Sequence, residues 1–145
     1  MKLVLQRVTA AAVTVDGEEI SRIGRGLLVL CGIERDDGPS EVATAARKLA
    51  GLRVFDDSAG RMNLDAATAG AAFLVVSQFT LAASLSRGRR PSFDKAAPGD
   101  EAEPLVEALV AELRRLGHEV ETGRFGAAMA VELVNDGPVT FVLEV

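Results

Sequence analysis

From residue 2 to residue 15 the chain is rich in Val and Thr and poor in charge, the pattern of a strand. Asp16-Gly17 supplies a tight turn, and Glu18 to Ile23 reads as the returning strand. Gly24 and Gly26 lead into an apolar run, 27–33, expected as a buried strand. Asp36 to Ser40 is turn-rich. Ser40 to Leu52 then places Val42, Ala45, Ala46 and Leu49 on one face, which is helical spacing. Leu52 to Phe55 reads as a strand, and Asp56 to Gly60 as a turn before Arg61-Met62-Asn63. A central strand, Phe73 to Val76, runs into the polar cluster Ser77-Gln78-Phe79-Thr80-Leu81. Ser84 to Pro98 is polar and basic, with Gly88 and Pro91, and is expected as a long surface loop. Glu101 to Leu116 is a second amphipathic helix, striped by Leu105, Leu109, Leu113 and Leu116, with Gly117 placed as its C-cap. Three closing strands are expected at 119–122, 129–134 and 139–145, with Asn135-Asp136-Gly137-Pro138 between the last two. The sum is one α/β domain over residues 1–145: a curved, largely antiparallel sheet or barrel with two main helices packed on it.

Length and composition narrow the function. A chain of 145 residues buries about two-thirds of its unfolded surface and needs no disulfide or metal to fold. Six Phe are the only aromatics, so aliphatics fill the core, and a sequence-independent RNA binder that stacks bases on aromatics is disfavoured, because such platforms need exposed rings. The net charge of -5 leaves room for a local basic patch only, so any RNA contact is confined to a small part such as one end. Cys31 is the single cysteine, sits in an apolar run, and is expected as a buried, inert thiol. The N-terminal segment is broken by Gln6 and Arg7 and lacks a signal-peptide pattern; no apolar stretch approaches the roughly 20 residues of a membrane span. A cytoplasmic protein without a membrane role is expected.

Several catalytic toolkits are missing. His118 is the only histidine and falls at a helix end; there is no Gly-x-Ser-x-Gly elbow, Cys-x-x-Cys pair or metal-ligand spacing. Gly24-Arg25-Gly26 precedes a strand and lacks the third glycine of a dinucleotide loop. No cofactor and no metal are expected. Two segments stand out instead. Ser77 to Leu81 delivers polar groups to the rim of a core, or bonds them to its own backbone as a plain strand end. Asn135 to Thr140 reads as a hairpin turn, but Pro138 removes a donor where the return strand begins, and the Gly137-Pro138 bond is a candidate for the cis form.

Together, Ser77 to Leu81 (SQFTL) and Asn135 to Thr140 (NDGPVT) resemble the two signature motifs of the D-aminoacyl-tRNA deacylase family. Leu5-Gln6-Arg7-Val8, Gly60-Arg61-Met62-Asn63, Arg89-Arg90-Pro91-Ser92-Phe93 and Glu121 to Gly126 resemble the family in the same order, so the likeness runs along nearly the whole chain. The resemblance implies an ester hydrolase acting on a tRNA acceptor end that carries a D-amino acid or glycine. It implies a homodimer with the active site at the subunit interface, where Gly137-Pro138 of one subunit enters the partner's pocket in a cis form. Ser77, Gln78, Phe79 and Thr80 are then the catalytic segment, and Arg7, Met129, Asn135, Gly137 and Pro138 bind substrate. Backbone N–H groups near Phe79 and Thr80 are expected to hold an oxyanion, and water attack to be assisted by the 2′-hydroxyl of the terminal adenosine; Thr80 as nucleophile is the alternative. Arg87, Arg89, Arg90 and Lys95 form the dense basic patch, read either as tRNA phosphate contacts or as a solvated loop. Two rival classes are a noncatalytic RNA-end binder and a small-ester hydrolase that ignores RNA.

Overall fold

The first strand, β1 (Lys2–Val15), organises the molecule because it is long enough to serve three partners. In this computed structural model, which describes residues 1–86 and 88–145, residues 11–15 of β1 pair antiparallel with β2 (Glu18–Ile23) and residues 2–8 with β3 (Gly26–Gly32). The other edge of β1 pairs along its length with the last strand of the chain. Asp16 and Gly17 both take positive φ, the geometry of the expected tight turn.

After β3 the chain crosses through α1 (Pro39–Gly51), the short pair β4 (Phe55–Asp56) and β5 (Met62–Leu64), and a one-turn helix α2 (Ala66–Ala69). It returns as β6 (Ala72–Ser77), parallel to β3. A 3-10 turn (Phe79–Ala82), a long loop and α3 (Gly99–Arg115) then lead to β7 (Val120–Thr122), parallel to β6. The sheet order is β2-β1-β3-β6-β7, with β8 (Ala130–Glu144) on the outer side of β1. The antiparallel expectation holds for every pairing of β1; the two helical crossovers make the β3–β6 and β6–β7 pairs parallel. Two main helices pack on a curled, barrel-like sheet, and α2 is a small addition that four residues of sequence could not announce.

Alternation along the central strands explains why they read as unbroken apolar runs. Leu27, Val29, Phe73 and Val75 face α1 and α3, in a core with Val42, Ala45, Ala46, Leu49, Leu109 and Leu113. Leu28, Leu74 and Val76 face the other way, into the curl of the sheet, with Val8, Ala11, Val13 and Ile23. Both faces are buried, so neither offers a polar alternation. The last turn of α3 closes as anticipated: Gly117 N–H donates to Arg114 O at 2.9 Å and His118 N–H to Leu113 O at 3.2 Å, with Gly117 at φ +90°. His118 packs edge-on against the Phe73 ring, with centroids 5.1 Å apart.

Some expected boundaries move. Residues 52–54 are not strand, and only Phe55–Asp56 pairs with β5. The central strand stops at Ser77, after which the chain coils into the 3-10 turn. The largest difference is at the C-terminal end. The expected strands 129–134 and 139–145 are one strand, β8, not the two arms of a hairpin. Both halves pair antiparallel with β1: Val8 lies opposite Asn135 and Gln6 opposite Thr140. Four residues, 136–139, therefore face the single residue Arg7. Turn residues here make a wide bulge instead of a reversal, because β1 is long enough to capture the chain on both sides.

Candidate active site

The bulge is held by side chains on either side of it. Asn135 Nδ2 donates to Thr140 Oγ1 at 2.9 Å, and Asn135 Oδ1 accepts from Val139 N–H at 2.9 Å. The amide thus closes the neck from which Asp136, Gly137 and Pro138 project. Gly137 and Pro138 are exposed, and the bond between them is cis. Glycine is required at 137: φ is +135°, and a Cβ there would lie 2.6 Å from Val139 Cγ2 and 2.9 Å from Val139 N.

Arg7 fixes the bulge to the body of the protein. It is 6% exposed and the sole charged side chain in the buried set among the described residues. Its Nε donates to Asp136 O at 3.2 Å and lies 3.2 Å from Asp136 Oδ2. Its Nη1 donates to Val54 O at 2.8 Å and to Asp56 Oδ1 at 3.1 Å. One planar guanidinium thereby joins the bulge in β8 to the start of β4, a geometry a point-charged ammonium cannot reproduce. Its partners Asp56 and Asp136 carried no signal in the sequence beyond their turn composition.

A separate cavity of about 470 Å³ opens where β6 ends. Ser77, Gln78 and Phe79 line it from one side, and Met129 with Phe125 and Ala102 from the others. Small residues make the space: Ala97, Gly99, Ala102, Gly126 and Ala127 all border it. Gly123 lets Met129 approach, since a Cβ there would sit 2.6 Å from the Met129 sulfur. Phe125 and the small residues on α3 were not anticipated as lining; the spaced small residues Ala97, Gly99 and Ala102 and the run Gly126-Ala127-Ala128 were the available clue. Cys31 also borders the cavity but is 1% exposed, and burial, with a lesser effect of Asp37, pushes its thiol up to about 12. It is not a thiolate at neutral pH.

Gln78 N–H donates to Cys31 O at 2.7 Å, anchoring the corner between β6 and the 3-10 turn, while its side chain donates to Thr80 Oγ1. Thr80 is exposed, and among the described residues its hydroxyl has no acid or base partner. Phe79 is 58% exposed and touches Phe93. Arg89, Arg90 and Lys95 are exposed on the loop after the 3-10 turn; Arg87 lies outside the described residues. Ser77, Gln78, Phe79 and Met129 are thus together in one cavity. Arg7, Asn135, Gly137 and Pro138 are together at the bulge, and none of these four lines that cavity. Among the described residues no group of three or more His, Cys, Asp or Glu is placed to hold a metal ion, and no helix is long and apolar enough to cross a membrane.

Residues 4–144 match the family described as D-Tyr-tRNA(Tyr) deacylase. The chain is 52% identical over 144 residues to the D-aminoacyl-tRNA deacylase of Geobacter sulfurreducens, covering 99% of this chain and 95% of that protein. It is 54% identical over 144 residues to that of Anaeromyxobacter dehalogenans, covering 99% and 97%. A solved structure described as "c-Myc DNA Unwinding Element Binding Protein" superposes with a TM-score of 0.95 at 42% identity, over 100% of this chain and 99% of that one. A probable eukaryotic D-amino acid tRNA deacylase shares the fold at a TM-score of 0.86 and 17% identity, over 99% and 98%.

Proposed function

The chain belongs to the D-Tyr-tRNA(Tyr) deacylase family, and we propose on that premise that it hydrolyses the ester joining a D-amino acid or glycine to the 3′ end of a tRNA. L-aminoacyl esters are left intact. The observation that carries this reading is the Arg7-braced bulge, a rigid pair of exposed residues displayed away from the cavity of its own chain. A site that uses both parts takes Gly137-Pro138 from a second copy. The outer side of β8 supports such pairing, since Val134, Phe141 and Val142 are exposed apolar residues on a strand that, among the described residues, pairs with β1 alone.

In the assembled site, backbone carbonyls of the bulge accept from the substrate's α-ammonium. Fixed carbonyls select one arrangement about Cα, and an L side chain is driven against backbone; discrimination comes from exclusion. Glycine has no side chain to exclude and is accepted. The ester needs position and an oxyanion site more than a strong nucleophile. The first N–H groups of a 3-10 turn have no acceptor within it, so those of Phe79 and Thr80 are suited to the oxyanion. Water attacks the carbonyl carbon with the 2′-hydroxyl of the terminal adenosine as proton relay; the 3′-oxygen leaves and takes a proton.

The shared site is tested by mixing two inactive variants. Gly137→Ala removes the bulge geometry and Phe79→Ala the cavity wall. Co-assembled, they should regain about a quarter to a half of wild-type turnover on D-aminoacyl-tRNA, because one of the two sites is then built from intact parts. No recovery in a verified mixed dimer, or full activity in a monomer at micromolar concentration, overturns the shared site. Equal hydrolysis of small D-amino acid esters without RNA would instead favour the RNA-independent esterase.

A further inference from the structure

Four of the six phenylalanines are buried, half-buried or on β8: Phe55 and Phe73 are fully buried, Phe125 lines the cavity, and Phe141 faces outward on β8. The remaining two, Phe79 and Phe93, form a pair of which Phe79 lines the cavity. Their ring centroids lie 5.1 Å apart with planes tilted by 52°, yet Phe79 is 58% and Phe93 40% exposed. Phe93 is held from both sides by backbone. Ser84 and Ser92 exchange two bonds, Ser84 N–H to Ser92 O at 2.7 Å and Ser92 N–H to Ser84 O at 3.0 Å, immediately before it. Ala96 N–H donates to Phe93 O at 2.9 Å just after it. The same Ser84–Ser92 bridge closes the loop that carries exposed Arg89 and Arg90. Two rings in fixed contact, exposed on the single chain at the foot of a basic loop whose chain carries a net charge of -5, match a ligand that is itself an anion with flat faces.

We propose that Phe93 is a positioning residue that stacks the base preceding the terminal nucleotide of the RNA, next to the Phe79-lined cavity that receives the terminal nucleoside. The inference rests on the tRNA reading above and adds a second nucleotide subsite to it. Phe79 belongs to the cavity wall and Phe93 does not, so the pair spans the step from one nucleotide to the one before it. The loop arginines then meet the phosphates that flank the stacked base. Stacking tolerates any base, so the subsite holds the strand without reading its sequence.

The test uses unacylated RNA hairpins with a single-stranded CCA end, so that it needs no turnover. Fluorescence anisotropy is measured with wild-type protein and with Phe93→Ala, Phe93→Leu and Phe93→Tyr, each checked for folding by circular dichroism and for dimer content by sedimentation. Alanine and leucine should weaken binding about 5- to 100-fold, the span of one base–aromatic stack. Tyrosine, which keeps the ring, should restore it. An RNA abasic at the penultimate position should lose the same factor with wild-type protein and lose nothing further with Phe93→Leu. Independent losses from the abasic site and from Phe93→Leu, unchanged binding by all three variants, or dissociation of a wild-type dimer by Phe93→Leu would overturn the subsite. A protein that shows the full stacking pattern but hydrolyses no D-aminoacyl-tRNA supports the subsite and overturns the proposed function alone.

Discussion

Removing the Arg7 guanidinium should loosen the bulge and destabilise the fold in a way that can be sized. The Arg7→Met change keeps most of the apolar stem and deletes the fork. The bond to Val54 O is buried, and leaving that carbonyl without a donor costs about 1–3 kcal/mol. Asp56 and Asp136 are 47% and 43% exposed, so water replaces much of what their ion pairs lose, and each contributes about 0.5–1 kcal/mol. The total is about 2–5 kcal/mol, reaching into the 3–5 kcal/mol typical of breaking a fully buried pair only if the carbonyl loss is near its upper value. Urea unfolding should report it as a lowered midpoint at unchanged slope. Arg7→Lys should recover little, because one ammonium cannot reach both β4 and the bulge. Turnover of D-aminoacyl-tRNA, assayed where each variant remains folded, should fall at least about 10-fold, as expected for a misplaced positioning group. Asp136→Asn combined with Arg7→Met should cost less than the sum of the two. If Arg7→Lys keeps stability within about 0.5 kcal/mol and turnover within about twofold, the bracing argument is wrong.

Other consequences are equally open to measurement. Thr80→Ala should retain activity, reduced about 10- to 100-fold for a lost positioning contact, whereas a substrate ending in 2′-deoxyadenosine should be cleaved far more slowly by wild-type protein; the reverse pattern makes Thr80 the nucleophile. Replacing Arg89 and Arg90 together with Ala should reduce the log–log salt slope of tRNA binding by about 1.4 to 1.8, from two lost phosphate contacts; an unchanged slope means a solvated loop. Cys31 should resist iodoacetamide at pH 8 in the folded protein and react on denaturation, since its raised thiol pKa of about 12 leaves almost no thiolate; rapid labelling of native protein would contradict its burial.

The β1–β2 turn, both main helices and the glycine closure of α3 were legible because each depends on local chemistry: Asp16-Gly17, the 3.6-residue spacing of Val42 to Leu49, and Gly117. The bulge was not. Asn135 to Pro138 satisfies turn composition in either a hairpin or a bulge, and only pairing with distant β1 decides between them. For the same reason nothing local announces that the Arg7 side chain meets Asp136, 129 positions away, and Asp56, 49 away. The cavity was half legible. Ser77 to Phe79 advertised themselves as polar groups and a ring at the end of an apolar strand. Its other walls are Ala and Gly, and residues that work by being small look like filler in a sequence. The exposed Phe93 likewise gave no sign of meeting Phe79 across a loop.

The central claim is chiral hydrolysis of an aminoacyl ester on RNA, and deacylation of one tRNA charged separately with the D- and L-forms of the same amino acid tests it most directly. The purified protein should hydrolyse the D-ester with catalytic turnover and leave the L-ester at its spontaneous rate. The two rates should differ by at least about 100-fold, as when one substrate meets a fixed steric clash worth about 2.7 kcal/mol or more. Equal hydrolysis of both esters would contradict discrimination by the bulge carbonyls, and binding of both without turnover would contradict an enzyme at this site.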